Sequence, residues 1–200
     1  MKKTRLAYHI LSILIVLSTN YFSVSAQEYL KINDNYAHYT NHPKAKGVDF
    51  KIRIPEGWTV KEGNRPNVVS KISFGNNYFM VLIHEGMTFI SRNQAKELYD
   101  SGGCEEMLME EYRERYLDPT IISATNEIID SYPARYVVCS YSHKLAFQDK
   151  PVKYINRCWY IYYEDLVITL QSMSPEVYDA YTFPQYYSMA HSIVFFEHYQ

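Results

Sequence analysis

Residues 133–173 read PARYVVCSYSHKLAFQDKPVKYINRCWYIYYEDLVITLQSM, and this stretch decides the fold. It contains three apolar segments rich in β-branched and aromatic residues, at positions 134–147, 152–163 and 166–173. Such runs are typical of adjacent antiparallel strands in a buried sheet. The first break contains Asp149 and Pro151, which favour a turn, and the second, Glu164-Asp165, is long enough for a tight hairpin. The sequence therefore predicts three consecutive strands joined by short turns.

The register of the first hairpin predicts what each face of the sheet carries. A hairpin symmetric about Gln148 and Asp149 places position i opposite position 297 − i. One face then carries Val137, Cys139, Tyr141, Leu145, Val152, Cys158 and Tyr160, and the other carries Tyr136, Val138, Ile155, Trp159 and Ile161. Because both faces are largely apolar, both must be covered. The predicted fold is α+β, an antiparallel sheet with helices on both faces, in an α/β/α sandwich.

Further elements are predicted on either side of this stretch. Alternation predicts strands at residues 48–54, 68–74, 78–85 and 121–129. Helical spacing and capping residues predict helices at 91–116, broken near Ser101-Gly102-Gly103, and at 174–191, interrupted at Phe183-Pro184. Residues 27–47 are interpreted as an irregular lead-in with at most one short strand, and residues 48–200 as a single domain.

The first 26 residues have the composition of a signal peptide. Lys2, Lys3 and Arg5 precede an apolar run, and Val24-Ser25-Ala26 supplies the small residues that signal peptidase requires. A retained membrane anchor is the alternative, but the apolar run is shorter than the ~20 residues that span a bilayer. We expect cleavage after Ala26 and a periplasmic or secreted protein without a membrane span.

The charge of the cleaved chain argues against a polyanionic partner. Loss of the three basic signal residues reduces 20 Lys and Arg to 17 against 22 Asp and Glu, so the net charge becomes −5. No basic patch then indicates binding to nucleic acid or to an anionic membrane surface.

The three cysteines leave two interpretations open. The symmetric register places Cys139 directly opposite Cys158, where a cross-strand disulfide can form, and two buried free thiols are the alternative. A thiol-dependent hydrolase or redox protein would use Cys104 or Cys139 with His143 or His191. Structural cysteines are favoured, because a thiol in the middle of an apolar strand has a raised pKa and low reactivity.

Motifs for metals and cofactors are weak. His84-Glu85 begins like a zinc-protease motif but lies in a strand pattern, and position 88 is Thr. His38 and His42 are four residues apart, yet Pro43 argues against the helix that a metal pair at that spacing needs. With seven glycines in all, no phosphate-binding loop is present. We therefore predict no catalytic residue, no metal and no cofactor.

Tyrosine is the one residue type in excess, with 21 in the chain. Tyr combines apolar area with a polar tip, so it suits both half-buried sheet positions and recognition surfaces. Four tyrosines around the Phe183-Pro184 break are the candidate partner surface: Tyr178, Tyr181, Tyr186 and Tyr187.

Three sequence phrases carry a resemblance to a known superfamily. They are FKIRIPEGW at residues 50–58, DSYPA at 130–134 and HSIVF at 191–195. With the order of elements, they resemble the PsbP-like and Mog-like α/β/α sandwich domains over residues 48–196. Members of this superfamily include extrinsic photosystem proteins, a nuclear transport GTPase-binding factor, periplasmic lipoproteins and secretion chaperones. The resemblance implies a non-catalytic role, although one scaffold with many roles carries little functional information.

These observations favour a secreted or periplasmic, non-enzymatic binding or accessory domain that acts on a protein partner of unknown identity. The alternative is the thiol-dependent hydrolase or redox protein described above. An envelope-stability protein without a single ligand is a third hypothesis.

Overall fold

The computed structural model describes residues 29–84, 94, 97, 98, 100–144, 149–163 and 166–196. Within them are eleven strands, and two helices are described from end to end. The strands are β1 Leu30–Asn33, β2 Tyr36–Tyr39, β3 Phe50–Arg53, β4 Thr59–Lys61, β5 Val68–Phe74, β6 Asn77–His84, β7 Leu117–Ile129, β8 Tyr132–His143, β9 Val152–Tyr163, β10 Leu166–Pro175 and β11 Val194–Phe195. The helices are α1 Gly103–Arg115 and α2 Glu176–Ala190. No helix among the described residues is both long and apolar enough to cross a bilayer.

A seven-stranded antiparallel sheet, the large sheet, has the order β4-β5-β6-β10-β9-β8-β7. The predicted strands of residues 133–173 are its β8, β9 and β10. β7 and β8 are joined at Asp130 and Ser131, whose φ angles of 45° and 70° suit a two-residue hairpin turn. Pairing of β10 with β6 joins the C-terminal strands to the N-terminal ones.

The β8–β9 register differs from the symmetric one by two residues. Cys139 lies opposite Asn156, and Cys158 lies opposite Val137. The predicted register is wrong because the observed pairing is centred one residue earlier in the chain than Gln148 and Asp149, and residues 145–148 of the connection lie outside the described residues. A shift of two keeps every side chain on its predicted face, since side chains alternate with a period of two.

A second antiparallel sheet, the small sheet, has the order β1-β2-β3-β11. The prediction of at most one strand in residues 27–47 is wrong, since β1 and β2 form a hairpin and β2 pairs with β3. Asp34 and Asn35 have φ angles of 50° and 63°, as a two-residue turn requires. Ala37 and Tyr39 are buried in the main core.

The two helices follow the predicted pattern with differences at their ends. α1 begins after Gly102, whose φ of 83° favours glycine, and this is the predicted break. α2 begins at Glu176, because Ser174 still pairs with Ile155 in the sheet. The predicted interruption at Phe183-Pro184 is wrong: α2 continues through Pro184, and the residues that follow it are anchored in the core.

The two faces of the large sheet are covered differently. The closed face carries Tyr136, Val138, Ile155, Trp159 and Ile161, and it packs in one cluster with the small sheet and α2. The open face carries Val137, Cys139, Tyr141, Cys158 and Tyr160, and α1 packs against part of it. Within the described residues, the predicted sandwich with helices on both faces is therefore not confirmed, because the small sheet shares the closed face with α2 and α1 covers part of the open face. Seven strands span roughly 29 Å, whereas one helix is about 10 Å across.

Candidate functional site

A groove lies on the open face beside α1, and we call it the α1 groove. α1 packs on β7 and β8, at one end of the large sheet, and the groove lies between α1 and the open face of β5, β6 and β10. The groove encloses about 730 Å³. This volume falls within the range of small-molecule binding sites, roughly 300–1,000 Å³.

Alternation along two paired strands builds the floor of the α1 groove. Every second residue of β6 and β10 points into it, in four cross-strand pairs: Tyr78 with Met173, Met80 with Gln171, Leu82 with Thr169, and His84 with Val167. α1 supplies the opposite wall through residues three or four apart, Cys104, Leu108, Glu111, Tyr112 and Arg115. The lining is thus mixed, since polar and apolar groups contribute similar shares of its surface.

A chain of hydrogen bonds joins the floor to the helix. The Gln171 side-chain amide donates to the Tyr112 hydroxyl and to the Asn156 amide oxygen, each at 3.2 Å. Fully buried Asn156 donates in turn to the sulfur of Cys158 at 3.1 Å. This chain holds Tyr112 and Gln171 in fixed positions, because each buried polar group in it has a partner.

Three of the groove tyrosines, Tyr78, Tyr112 and Tyr160, are neutral hydrogen-bonding groups. Burial raises the pKa of Tyr78 to about 12. It also raises the pKa of Tyr112 and of Tyr160 well above the ordinary value. Their hydroxyls therefore stay protonated at neutral pH and can donate to a ligand.

Cations outnumber acids at the rim of the α1 groove. Its charged lining residues are Arg65, Lys71 and Arg115 against Glu111, which leaves a net charge of +2 when His84 is neutral. Arg115 pairs with Glu111 at 2.9 Å, one helical turn away. The excess therefore belongs to Arg65, in the loop before β5, and to Lys71, on β5.

Comparison with solved structures relates the fold to a known one. Cyanobacterial PsbP (CyanoP) from Synechocystis sp. PCC 6803 matches with a TM-score of 0.53 and 14% identity, over 82% of this chain and 94% of that chain. The chain has a PsbP-like fold. At this identity the likeness concerns the fold alone.

Two other solved structures match this chain with lower TM-scores. A Bacteroides thetaiotaomicron VPI-5482 protein has a TM-score of 0.47 at 11% identity, over 78% of this chain and 47% of that chain. A Pseudomonas aeruginosa protein of unknown function has a TM-score of 0.42 at 9% identity, over 71% and 88% of the two chains. Neither a protein-family model nor a curated protein matches the sequence.

The three cysteines of the PsbP-like domain are buried free thiols. Of the two interpretations left open by the sequence, the cross-strand disulfide required Cys139 directly opposite Cys158, whereas the observed register offsets the two by two residues. Burial raises the pKa of Cys104 and of Cys139 to about 12, and that of Cys158 to about 11. Thiols with such pKa values are poor nucleophiles at neutral pH.

The histidines named with the thiol hypothesis have other partners. His191 lies 3.1 Å from the Glu127 carboxylate, and the His143 ring meets the edge of Tyr116 at 5.5 Å. The structure therefore gives no support to either of them as the base of a thiol nucleophile.

The histidines named with metal binding also lie apart from any ligand cluster. His38 stacks on Phe196 at 6.3 Å, whereas His42 is buried between tyrosine rings. His84 is exposed at the end of β6, and Glu85 lies outside the described residues. Across the described part of the chain, no group of three His, Cys, Asp or Glu side chains could hold a metal ion.

The predicted tyrosine surface is divided by the structure. Tyr178, Tyr181 and Tyr187 are exposed on α2, whereas Tyr186 is fully buried and donates to the Met173 carbonyl oxygen at 2.9 Å. Tyr186 is therefore a core residue and no part of a surface. The other three remain a predicted partner surface.

Sequence analysis missed the α1 groove. The sequence predicts strands for Tyr78, Gln171 and Lys71, but it does not predict that these strands form a groove with α1. In β6, Tyr, Met and Leu occupy every second position, and they meet polar residues of β10 on the same face of the sheet. This mixture of apolar and polar side chains is a signal that the face is only partly covered. The position of α1 on that face depends on tertiary packing, which local sequence patterns do not predict.

Proposed function

We propose that this protein is a non-catalytic accessory domain that binds an organic ligand in the α1 groove. One observation carries the proposal: the closed face packs in one buried cluster, whereas the open face keeps a groove of about 730 Å³ beside α1. A concave groove that combines apolar surface with convergent polar groups has the general form of a ligand site.

The fixed floor supports binding at this place. Tyr112, Gln171 and Asn156 form one hydrogen-bonded chain, so the polar groups that meet a ligand are already oriented. Preorganised groups strengthen binding because little conformational freedom is lost when the ligand enters.

The chemistry of the thiols favours binding over catalysis. Cys104 and Cys158 line the groove, and burial raises the pKa of both. At neutral pH both therefore carry their protons, which does not favour the hypothesis of a thiol-dependent hydrolase or redox protein.

We further propose that the domain acts outside the cytoplasm, after cleavage behind Ala26. The basic start, the apolar run and Val24-Ser25-Ala26 support this. N-terminal sequencing of the protein from its native envelope or culture medium should give Gln27 as the first residue. An intact Met1 in a cytoplasmic fraction would contradict the proposal.

A groove-blocking variant tests the site. Met107 lines the groove from α1 and is 54% exposed, so Met107→Trp should fold while it narrows the groove. Native mass spectrometry of gently purified protein should show a bound small molecule in the wild type and less of it in the variant. Val177→Trp is the matched control, since Val177 is exposed on α2 and lies outside the groove.

Two results would contradict the groove as the ligand site. One is equal ligand retention by Met107→Trp and wild type. The other is a loss of ligand that follows Tyr181→Ala on α2 instead, which would transfer the binding role to the predicted tyrosine surface.

A further inference from the structure

We propose that the α1 groove takes a small amphipathic anion, such as a carboxylate on a hydrocarbon or aromatic body. The anionic group would lie at Arg65 and Lys71, and the apolar body would lie on the tyrosine and methionine floor. This inference rests on the proposed function, since it names the ligand class of the same site.

The positive rim is local and does not follow from the composition of the chain. The chain as a whole has a net charge of −2, yet the groove lining has a net charge of +2. A local field of sign opposite to that of the whole molecule concentrates anions at one place.

Arg65 and Lys71 have no carboxylate within ion-pair distance among the described residues. Glu62, in the same loop as Arg65, is paired with Lys44 at 2.8 Å. The two cations are thus available to a ligand.

A third cation increases the local charge. Lys61 of β4 lies directly opposite Lys71 of β5 in the strand register. Like charges placed directly across two strands destabilise the pair. An anion bound at Lys71 would relieve this repulsion, so the arrangement is better suited to the occupied groove.

Tyr78 lies where the anionic group would bind. The Lys71 ammonium group is 4.8 Å from the centre of the Tyr78 ring, and the Tyr78 hydroxyl donates to the Met173 sulfur at 3.3 Å. A thioether is a weak acceptor, whereas a carboxylate oxygen is a strong one. A bound carboxylate could therefore take the Tyr78 hydrogen bond and face Lys71 at the same time.

The rest of the groove suits an apolar body. Met80 and Met173 lie on the floor, and Met107 stands on the α1 side. Methionine side chains adapt to irregular apolar shapes and make favourable contacts with aromatic rings. The floor can thus receive either a hydrocarbon chain or an aromatic ring system.

Titration with matched amphiphiles tests the charge requirement. Dodecanoate and naphthalene-2-carboxylate are the anionic probes, and dodecyltrimethylammonium is the cationic control, all below their micellar concentrations. Calorimetry should show binding of at least one anionic probe that weakens with added salt, and amide NMR shifts should map to β6 and β10. The cationic control should bind at least about tenfold more weakly. The two anions distinguish a hydrocarbon body from an aromatic one.

Variants locate the charge. Arg65→Gln with Lys71→Gln should weaken anion binding at least about tenfold, because two charge-assisted contacts are lost. Both residues are exposed, and loss of the Lys71 charge removes its repulsion with Lys61, so circular dichroism melts should show a variant at least as stable as the wild type. The matched control is Lys51→Gln, because Lys51 also lies over a tyrosine ring, Tyr36 at 5.5 Å, but in the small sheet.

Two outcomes overturn the inference. Binding of the cationic probe as tight as that of the anions, with shifts at β6 and β10, would keep the groove as a site but reject an anionic ligand. Absence of shifts with every probe would reject this ligand class. The ligand-retention experiment with Met107→Trp judges the groove itself independently.

Discussion

The closed face and the open face belong to the same strands and carry alternate residues of them. On the closed face, Trp159 stacks on Tyr136 at 4.6 Å and is fully buried by the small sheet and α2. On the open face, the neighbouring residue Tyr160 lies at the edge of a groove. The difference teaches that one side of the sheet supplies the main core, whereas the other side keeps the groove for which we propose a binding role. Each prediction below tests that division.

The largest effect is expected for Trp159→Ala, on the closed face. It removes a buried indole that also donates to the Glu127 carboxylate at 3.0 Å, and should cost about 4 kcal/mol of unfolding free energy. Met80→Ala, on the open face, should cost only about 1 kcal/mol, because its side chain already borders open space. Urea unfolding measures both. Equal losses would contradict the division between the faces.

Thiol reactivity gives the next largest effect. At pH 7.5 the raised pKa values of Cys104, Cys139 and Cys158 should slow iodoacetamide labelling of the folded protein roughly a hundredfold or more relative to the urea-unfolded chain. When the protein is unfolded in urea and labelled without a reducing agent, mass spectrometry should find all three cysteines alkylated. Rapid labelling of one thiol in the folded state would revive the catalytic hypothesis, and two unlabelled cysteines would indicate a disulfide.

An ion pair holds α2 to the closed face. Arg157 of β9 donates twice to the Asp179 carboxylate, and its guanidinium lies 4.5 Å from the Phe183 ring centre. Asp179→Asn leaves a buried cation without its charge partner and should cost about 3 kcal/mol.

Glu176→Gln is the control on the same helix. Its partner Lys153 is half exposed, and the loss should stay below about 1 kcal/mol. Similar losses in the two variants would show that Arg157 does not anchor α2.

The smallest effect concerns pH. The pKa of His42 is below its ordinary value, and burial is the largest cause. The charge of Glu62 acts to raise this pKa, whereas the charge of Lys44 lowers it further. The unfolded chain therefore binds more protons than the folded one below about pH 6.5, so stability should fall as the pH is lowered from 7.5 to 5.5.

Urea unfolding of His42→Gln at both pH values measures this contribution. The variant should lose less stability on acidification than the wild type does. His84 is exposed to solvent on one side, but desolvation where it lines the α1 groove lowers its pKa against the opposing effect of Glu111, so part of the dependence should persist. An unchanged dependence in the variant would contradict the role of His42.

Strong local patterns made the C-terminal strands predictable. β8, β9 and β10 were found because their apolar runs are long, and their faces were correct because a two-residue error preserves alternation. The β1–β2 hairpin was missed because four-residue strands are weak signals, although Asp34-Asn35 is a turn pair that tolerates positive φ.

Long-range packing made the candidate site unpredictable. The α1 groove needs the pairing of β10 with β6, whose residues are about ninety positions apart, and the placement of α1 on β7 and β8. Tyr186 was misassigned for a related reason: its burial depends on which side of α2 meets the sheet. The resemblance indicated a PsbP-like fold, which the comparison with a solved structure supports, yet it named no groove.

The central position of β10 has a consequence for biogenesis. β10 is the last strand of the large sheet to be synthesised, and it lies between β6 and β9. Until Pro175 has left the ribosome, two half-sheets each present an unpaired apolar border. A truncated or stalled chain should therefore aggregate through these borders, and native folding must wait for nearly the whole polypeptide.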